Sequence, residues 1–125
     1  MNYQKNIAGE AKSYKNLAIL SYISSNYFET INYLESSLVI LEKLNDSVEI
    51  SKVYNNLGVI YKEEGTFGKA LKFYFKALEL RKKLKNTFGI HKILNNIGNI
   101  YENQGMDEKA LEFYNSSNLQ KKRKI

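Results

Sequence analysis

The chain has no cysteine, no proline and only one histidine in 125 residues. Without cysteine it forms no disulfide and no thiolate metal site. A single histidine, His91, supplies neither a ligand cluster nor a catalytic pair. The absence of proline favours long uninterrupted helices. No apolar run approaches the eighteen or so residues of a membrane span, and the opening Met1-Asn2-Tyr3-Gln4-Lys5 lacks the apolar core of a signal peptide. These features lead us to expect a cytoplasmic protein without membrane segment, metal or cofactor. The formal charge is +6, but Lys121, Lys122, Arg123 and Lys124 carry +4 of it, so the remainder is only weakly basic.

What is present is repetition. Tyr54-Asn55-Asn56-Leu57-Gly58-Val59-Ile60-Tyr61 returns as Leu94-Asn95-Asn96-Ile97-Gly98-Asn99-Ile100-Tyr101, forty residues on. Aligning 51–85 with 91–125 gives 13 identities in 35 pairs without a gap. An earlier copy, 11–50 against 51–90, keeps only 8 in 40, with Ala18 and Ser21 where the next has Gly58 and Tyr61. A fixed period of this length marks a solenoid, whose units bury their apolar faces against one another.

Within a unit the apolar positions follow helical spacing: Val53, Tyr54, Leu57, Ile60 and Tyr61, then Ala70, Leu71, Phe73, Tyr74, Ala77 and Leu78. Glu64-Gly65-Thr66 breaks the first stripe, with glycine suited to a left-handed closing residue and Thr66 to capping the next helix. Asn26 with Glu29, and Asp46 with Glu49, mark two further starts. The pattern predicts an all-α fold with six helices at roughly 7–23, 27–44, 47–63, 67–85, 87–103 and 107–122. They make three helical hairpins in one domain, residues 1–125, with units of about 7–46, 47–86 and 87–125. In the last helix Asn118, Gln120 and Lys124 stand where earlier units have leucine or isoleucine, the expected pattern of a terminal cap.

At these residues the chain resembles the tetratricopeptide repeat family. Tyr54, Leu57, Gly58, Tyr61, Ala70, Tyr74 and Ala77 match its motif, as do Leu94, Ile97, Gly98, Tyr101, Ala110 and Tyr114. The third unit departs at Ser117, the first keeps Tyr14 and Leu17, and the family's closing proline is missing throughout. The forty-residue period is similar to that of a subgroup found in polarity adaptors, kinesin light chains and bacterial regulators. The resemblance implies a superhelix of hairpins, and since the motif residues are packing residues it says little about function.

Two further columns lie off the packing stripe: Lys12, Lys52 and Lys92, and, one turn on, Asn16, Asn56 and Asn96. The resemblance implies that first helices line a concave groove and that asparagines there hold the backbone of an extended peptide. An amide suits this because it both donates and accepts. Lys15, Asn55, Asn95 and Asn99 border the same groove, and Ile19, Tyr22 and Val59 give it an apolar floor at one end. The lysines favour acidic residues or a free carboxylate. Alternatively the asparagines tie adjacent helices together and the lysines are simply solvated. The family's carboxylate clamp is matched at Lys15, Asn56 and Lys92 but not at Ile19 or Asn96. Nothing here has the makings of a catalytic site: Glu63, Glu64 and Glu102 read as solvated charges and His91 as a surface residue.

The reading is therefore a non-catalytic adaptor for an extended protein or peptide partner. Its alternative is a self-association module, packing through Tyr3, Ile7 and Tyr14 at the uncapped first unit, or a fragment of a larger regulator. Nucleic-acid binding would rest on the basic run 121–124 alone, which also suits a helix end.

Overall fold

Five residues spaced twenty apart, Ser25, Asn45, Gly65, Lys85 and Gly105, have left-handed backbones, with φ between 53° and 78°. In each case two backbone N–H groups reach back into the preceding helix. At the central turn Gly65 donates to the Lys62 carbonyl and Thr66 to the Tyr61 carbonyl, both at 2.9 Å. This pair of bonds satisfies carbonyls that the end of a helix leaves unpaired, and it ends the helix sharply. The computed structural model describes residues 2–122, and within them the five turns separate six helices. These are α1 (Asn2–Ile23), α2 (Tyr27–Lys43), α3 (Ser47–Glu63), α4 (Phe67–Lys83), α5 (Ile90–Asn103) and α6 (Asp107–Lys122).

The helices pair as α1 with α2, α3 with α4, and α5 with α6, and α2 packs on α3 and α4 on α5. The expected stack of three hairpins is the observed fold. Inside the second and third hairpins the first helix comes within reach of an aromatic ring through a glycine. A Cβ at Gly58 would lie 2.6 Å from two ring carbons of Tyr74, and one at Gly98 2.6 Å from Tyr114. In the first hairpin Ala18 takes the glycine position and Leu34 the tyrosine position, and both are buried. The side chain gained on one helix is matched by a smaller group on the other. Two apolar clusters run through the stack, one from Ala11 to Ile60 and one from Ala70 to Ile100, and Tyr54 and Tyr61 pack against both.

Several sequence-based details need correction. The first helix begins at Asn2, not near residue 7. Asn26 and Asp46 cap their helices as expected, each accepting from the backbone N–H of the glutamate three residues on, at 3.2 Å. Thr66 occupies the cap position of α4 but makes no side-chain capping bond. The fifth helix starts at Ile90 rather than 87. Asn86 accepts from the N–H of Phe88 instead of from a residue inside a helix, and Gly89, at φ 79°, holds the chain out of helical geometry for three further residues. Of the basic run only Lys121 and the helical backbone of Lys122 are described; Arg123 and Lys124 lie outside the described residues, as does the capping position at Lys124.

The glycines give a test with opposite signs. Alanine is favoured over glycine in a helix by about 1 kcal/mol. Gly9 has nothing within 4 Å of its notional Cβ, so Gly9→Ala should stabilise by up to that amount. Gly58→Ala must move the Tyr74 ring, an overpacking cost of about 1–3 kcal/mol, and should destabilise on balance. Chemical denaturation of the two variants decides; equal shifts would mean that the Gly58–Tyr74 approach is not a constraint.

The two tyrosines differ at the hydroxyl. Tyr74 is fully buried and its Oη has no hydrogen-bond partner, whereas Tyr114 Oη lies 2.6 Å from both Asn99 Oδ1 and Glu102 Oε1, to either of which it can donate. Tyr114→Phe should cost about 0.5–1.5 kcal/mol, and Tyr74→Phe should be neutral or stabilising. Both phenols are pushed up to about 12, mainly by burial and, for Tyr114, also by the bond to Glu102. The fold thus favours the neutral form. Their contribution is complete below the ordinary value of 10.0 and is lost as pH rises towards 12. A denaturation series from pH 8 upward should show falling stability that Tyr114→Phe reduces.

Candidate functional site

The first helices of the hairpins bring most of the sequence-predicted residues together. Lys12, Lys15, Asn16, Lys52 and Asn56 share the wall of one cavity, about 340 Å³, between α1 and α3. Lys15, Lys52, Asn55, Asn56 and Lys92 share the wall of a second, about 230 Å³, which continues from α3 to the start of α5. Lys15 and Asn56 also line a third cavity of about 250 Å³ with Ile19, Tyr22 and Val59, the expected apolar floor. The three cavities meet at Lys15 and Asn56, making one branched groove. Asn95, Asn96 and Asn99 on α5 line none of them.

The amides of Asn16, Asn56 and Asn96 make no hydrogen bond to a side chain or backbone group among the described residues. They do not tie adjacent helices together. Asn99 is different, since its Oδ1 lies within hydrogen-bonding distance of the Tyr114 hydroxyl. Asn55 is half-buried, and its Oδ1 is enclosed without a partner.

The lysines are less free than their column suggests. Glu49, one turn into α3, accepts Lys52 Nζ at 2.8 Å and Lys15 Nζ at 3.6 Å. Lys52 first, and Lys15 after it, hold the Glu49 carboxyl below the usual carboxylate range against an opposing effect of burial. The bridge joins α1 to α3 on the wall of the first cavity, so part of the groove's positive charge is already balanced. Lys92 has no ion pair among the described residues. Neither Glu63 nor Glu102 is simply solvated: Glu63 accepts from the Tyr22 hydroxyl at 2.8 Å and Glu102 lies 2.6 Å from that of Tyr114. His91 is half-buried rather than on the surface, and its carbonyl accepts from Ser117 Oγ at 2.6 Å.

One residue of the groove wall escaped the sequence reading. Arg81, on α4, reaches the second cavity and is only 7% exposed. The signal was available: its column holds Leu41 in the preceding unit. Among the described residues no group of three or more histidine, cysteine or carboxylate side chains could hold a metal, and no helix is long and apolar enough to cross a membrane.

Residues 9–83 and 91–117 each match a family model described as tetratricopeptide repeat. The fold is similar to the crystal structure of the TPR domain of Arabidopsis FLU (TM-score 0.86, 20% identity, covering 94% of this chain and 98% of that one). It is also similar to BtubC (BKLC) from P. vanneervenii (TM-score 0.83, 22% identity, covering 90% of this chain and 47% of that one). A third likeness is to the N-terminal domain of stress-induced protein-1 (STI-1) from C. elegans (TM-score 0.77, 20% identity, covering 91% and 86%). At these identities the likeness establishes the fold alone. No curated protein matches the chain.

Proposed function

Since the chain belongs to the tetratricopeptide repeat family, a fold that generally serves as a scaffold for protein–protein interaction, we propose that its groove binds an extended peptide or partner tail. The carrying observation is the unengaged amides of Asn16 and Asn56 on the walls of connected cavities. In this reading Asn16, Asn56 and Asn96 pair with the ligand's backbone, while Lys12, Lys15, Lys52 and Lys92 favour acidic residues. Asn55, Asn95 and Asn99 border the path, although the Tyr114 hydroxyl competes for Asn99. We read residues 1–125 as one non-catalytic domain of three units acting in the cytoplasm.

A second reading, self-association, is favoured by one observation. Leu17 and Leu20 on α1 are 40% and 61% exposed, whereas their equivalents Leu57 and Ile60 are 0% and 3%. The first unit leaves open the face that later units cover. Light scattering after size exclusion separates the readings, since a monomer at all concentrations removes self-association.

The groove is tested by selecting a binder from a displayed library of random peptides and measuring it by calorimetry. Asn56→Ala, the central rung, should weaken it about tenfold, more than Asn16→Ala or Asn96→Ala, because a stranded amide costs about 1–3 kcal/mol. Lys52→Ala should act mainly at low ionic strength, since exposed charges are screened over about 8 Å at physiological salt. If Asn56→Ala binds like the parent while losing stability, the amide column is structural and the groove reading fails.

A further inference from the structure

Of the five turns, the one between α4 and α5 is not a copy of the others. The other four take three residues, and this one takes six, 84–89. Its backbone is nonetheless tied down. Asn86 N–H donates to the Arg81 carbonyl at 2.9 Å, Phe88 N–H to Asn86 Oδ1 at 3.2 Å, and Arg81 Nη1 to the Phe88 carbonyl at 2.6 Å. Burying a guanidinium is costly, and the hydrogen bond that Arg81 makes here fixes the position of Phe88. Yet Phe88 is 73% exposed, and Leu84 in the same loop is 40% exposed. The loop is held in a shape that displays apolar groups.

The charge around them has one sign. From Leu80 to Ile93 the chain has five cations and no carboxylate. Lys82, Lys83 and Lys85 are exposed, and none has an ion pair among the described residues. Basic residues at a helix C-terminus suit its dipole, but the dipole gives no reason for an exposed phenylalanine beside them. Antiparallel hairpins bring the ends of α2, α4 and α6 to the same end of the stack as the starts of α1, α3 and α5. The pattern recurs there: Lys43 and Val48 flank the α2–α3 turn, Leu119 and Lys121 lie near the end of α6, and all four are exposed. The acids at this end are mostly engaged. Asp46 caps α3 and Glu49 pairs with Lys15 and Lys52, which leaves Glu42. At the opposite end Glu63, Glu64, Glu102, Asp107 and Glu108 outnumber the lysines.

We infer that the basic end of the stack docks on the surface of an anionic phospholipid bilayer, with Lys82, Lys83 and Lys85 at the headgroups and Leu84 and Phe88 entering the acyl boundary. Basic residues and exposed apolar side chains together are what interfacial binding requires, the first drawn to anionic headgroups and the second to the hydrocarbon beneath. A pocket on a protein would be met by one apolar knob. Here the apolar groups recur beside lysines along the whole stack, which suits a broad surface. A nucleic acid would match the lysines, and its bases stack on aromatic rings, but it offers nothing to Val48, Leu84 and Leu119. The contact is peripheral, since no helix is long and apolar enough to cross a membrane among the described residues. Phe88 also borders the second groove cavity, whereas the three loop lysines and Leu84 line none of the groove cavities. The inference therefore stands apart from the groove reading.

The chain contains no tryptophan, so a single one reports on its own surroundings. Phe88→Trp places it at the basic end. Phe28→Trp, at a residue 74% exposed near the start of α2, places it at the opposite end. The probes are vesicles of phosphatidylcholine alone and of equal parts phosphatidylcholine and phosphatidylserine. The full chain should sediment with the mixed vesicles only. Emission from Phe88→Trp should shift to the blue and escape acrylamide quenching, while Phe28→Trp keeps its spectrum in water. A lysine near an anionic surface is worth about fivefold in partitioning, so Lys82→Gln, Lys83→Gln and Lys85→Gln together should weaken binding about a hundredfold. Phe88→Ser should weaken it about tenfold with the melting temperature unchanged.

Failure to sediment with the mixed vesicles overturns the inference. An equal response of the two tryptophans does so too, because it means adsorption without a preferred end. Binding that needs the lysines but leaves the Phe88→Trp spectrum unmoved also overturns bilayer docking, and tight binding of polyuridylate by that same protein would reassign the basic end to nucleic acid.

Discussion

The close approach of a glycine backbone to a tyrosine ring sets the geometry of the hairpins. Where Gly58 and Gly98 face Tyr74 and Tyr114, no side chain separates helix from ring. The Ala18–Leu34 pair shows the same constraint met with other volumes. Close packing explains why the two positions change together: extra atoms on one helix need room on the other, since interiors have no slack to absorb them. With this contact in place, the opposite face of each first helix is left to line the groove. The amide and lysine columns inherit their alignment from the packing behind them.

Much of this was legible in the sequence because a solenoid writes each constraint several times. The six helices, the Gly65 and Gly105 turns, and the caps at Asn26 and Asp46 follow from spacing and residue type. Three turns were harder, because Ser25, Asn45 and Lys85 adopt the left-handed conformation without being glycine. Their signal was positional, twenty residues from a glycine that does the same. The Thr66 cap failed for a simpler reason: residue type permits a capping bond without requiring it.

The candidate groove was half legible. Lys12, Lys15, Asn16, Lys52, Asn55, Asn56 and Lys92 meet on connected cavities, while Asn95, Asn96 and Asn99 do not. Both the delayed start of α5 and the buried Arg81 occur where the repeat is broken, so matching units column by column conceals them. A basic residue among leucines is easily read as a solvated charge near a helix end. Its burial depends on Phe88 and Gly89, which have no counterpart in the earlier turns. Regularity thus predicts the scaffold, and departure from it marks the places where the scaffold is adapted.

Packing within each hairpin is more extensive than packing between hairpins. In a stack of units with only nearest-neighbour contacts, the joints are then the weaker links. The groove cavities lie at those joints, between α1 and α3 and between α3 and α5. The Glu49 bridge crosses the first joint, linking Lys15 to Lys52, while the second has Arg81 and Lys92 with no carboxylate between them. A ligand lying along the groove would make its contacts across both joints, adding to the terms that hold neighbouring units in register. Binding would then couple to the stability of the stack without any change in the hairpins themselves, because ligand contacts made only in the stacked arrangement favour that arrangement by mass action.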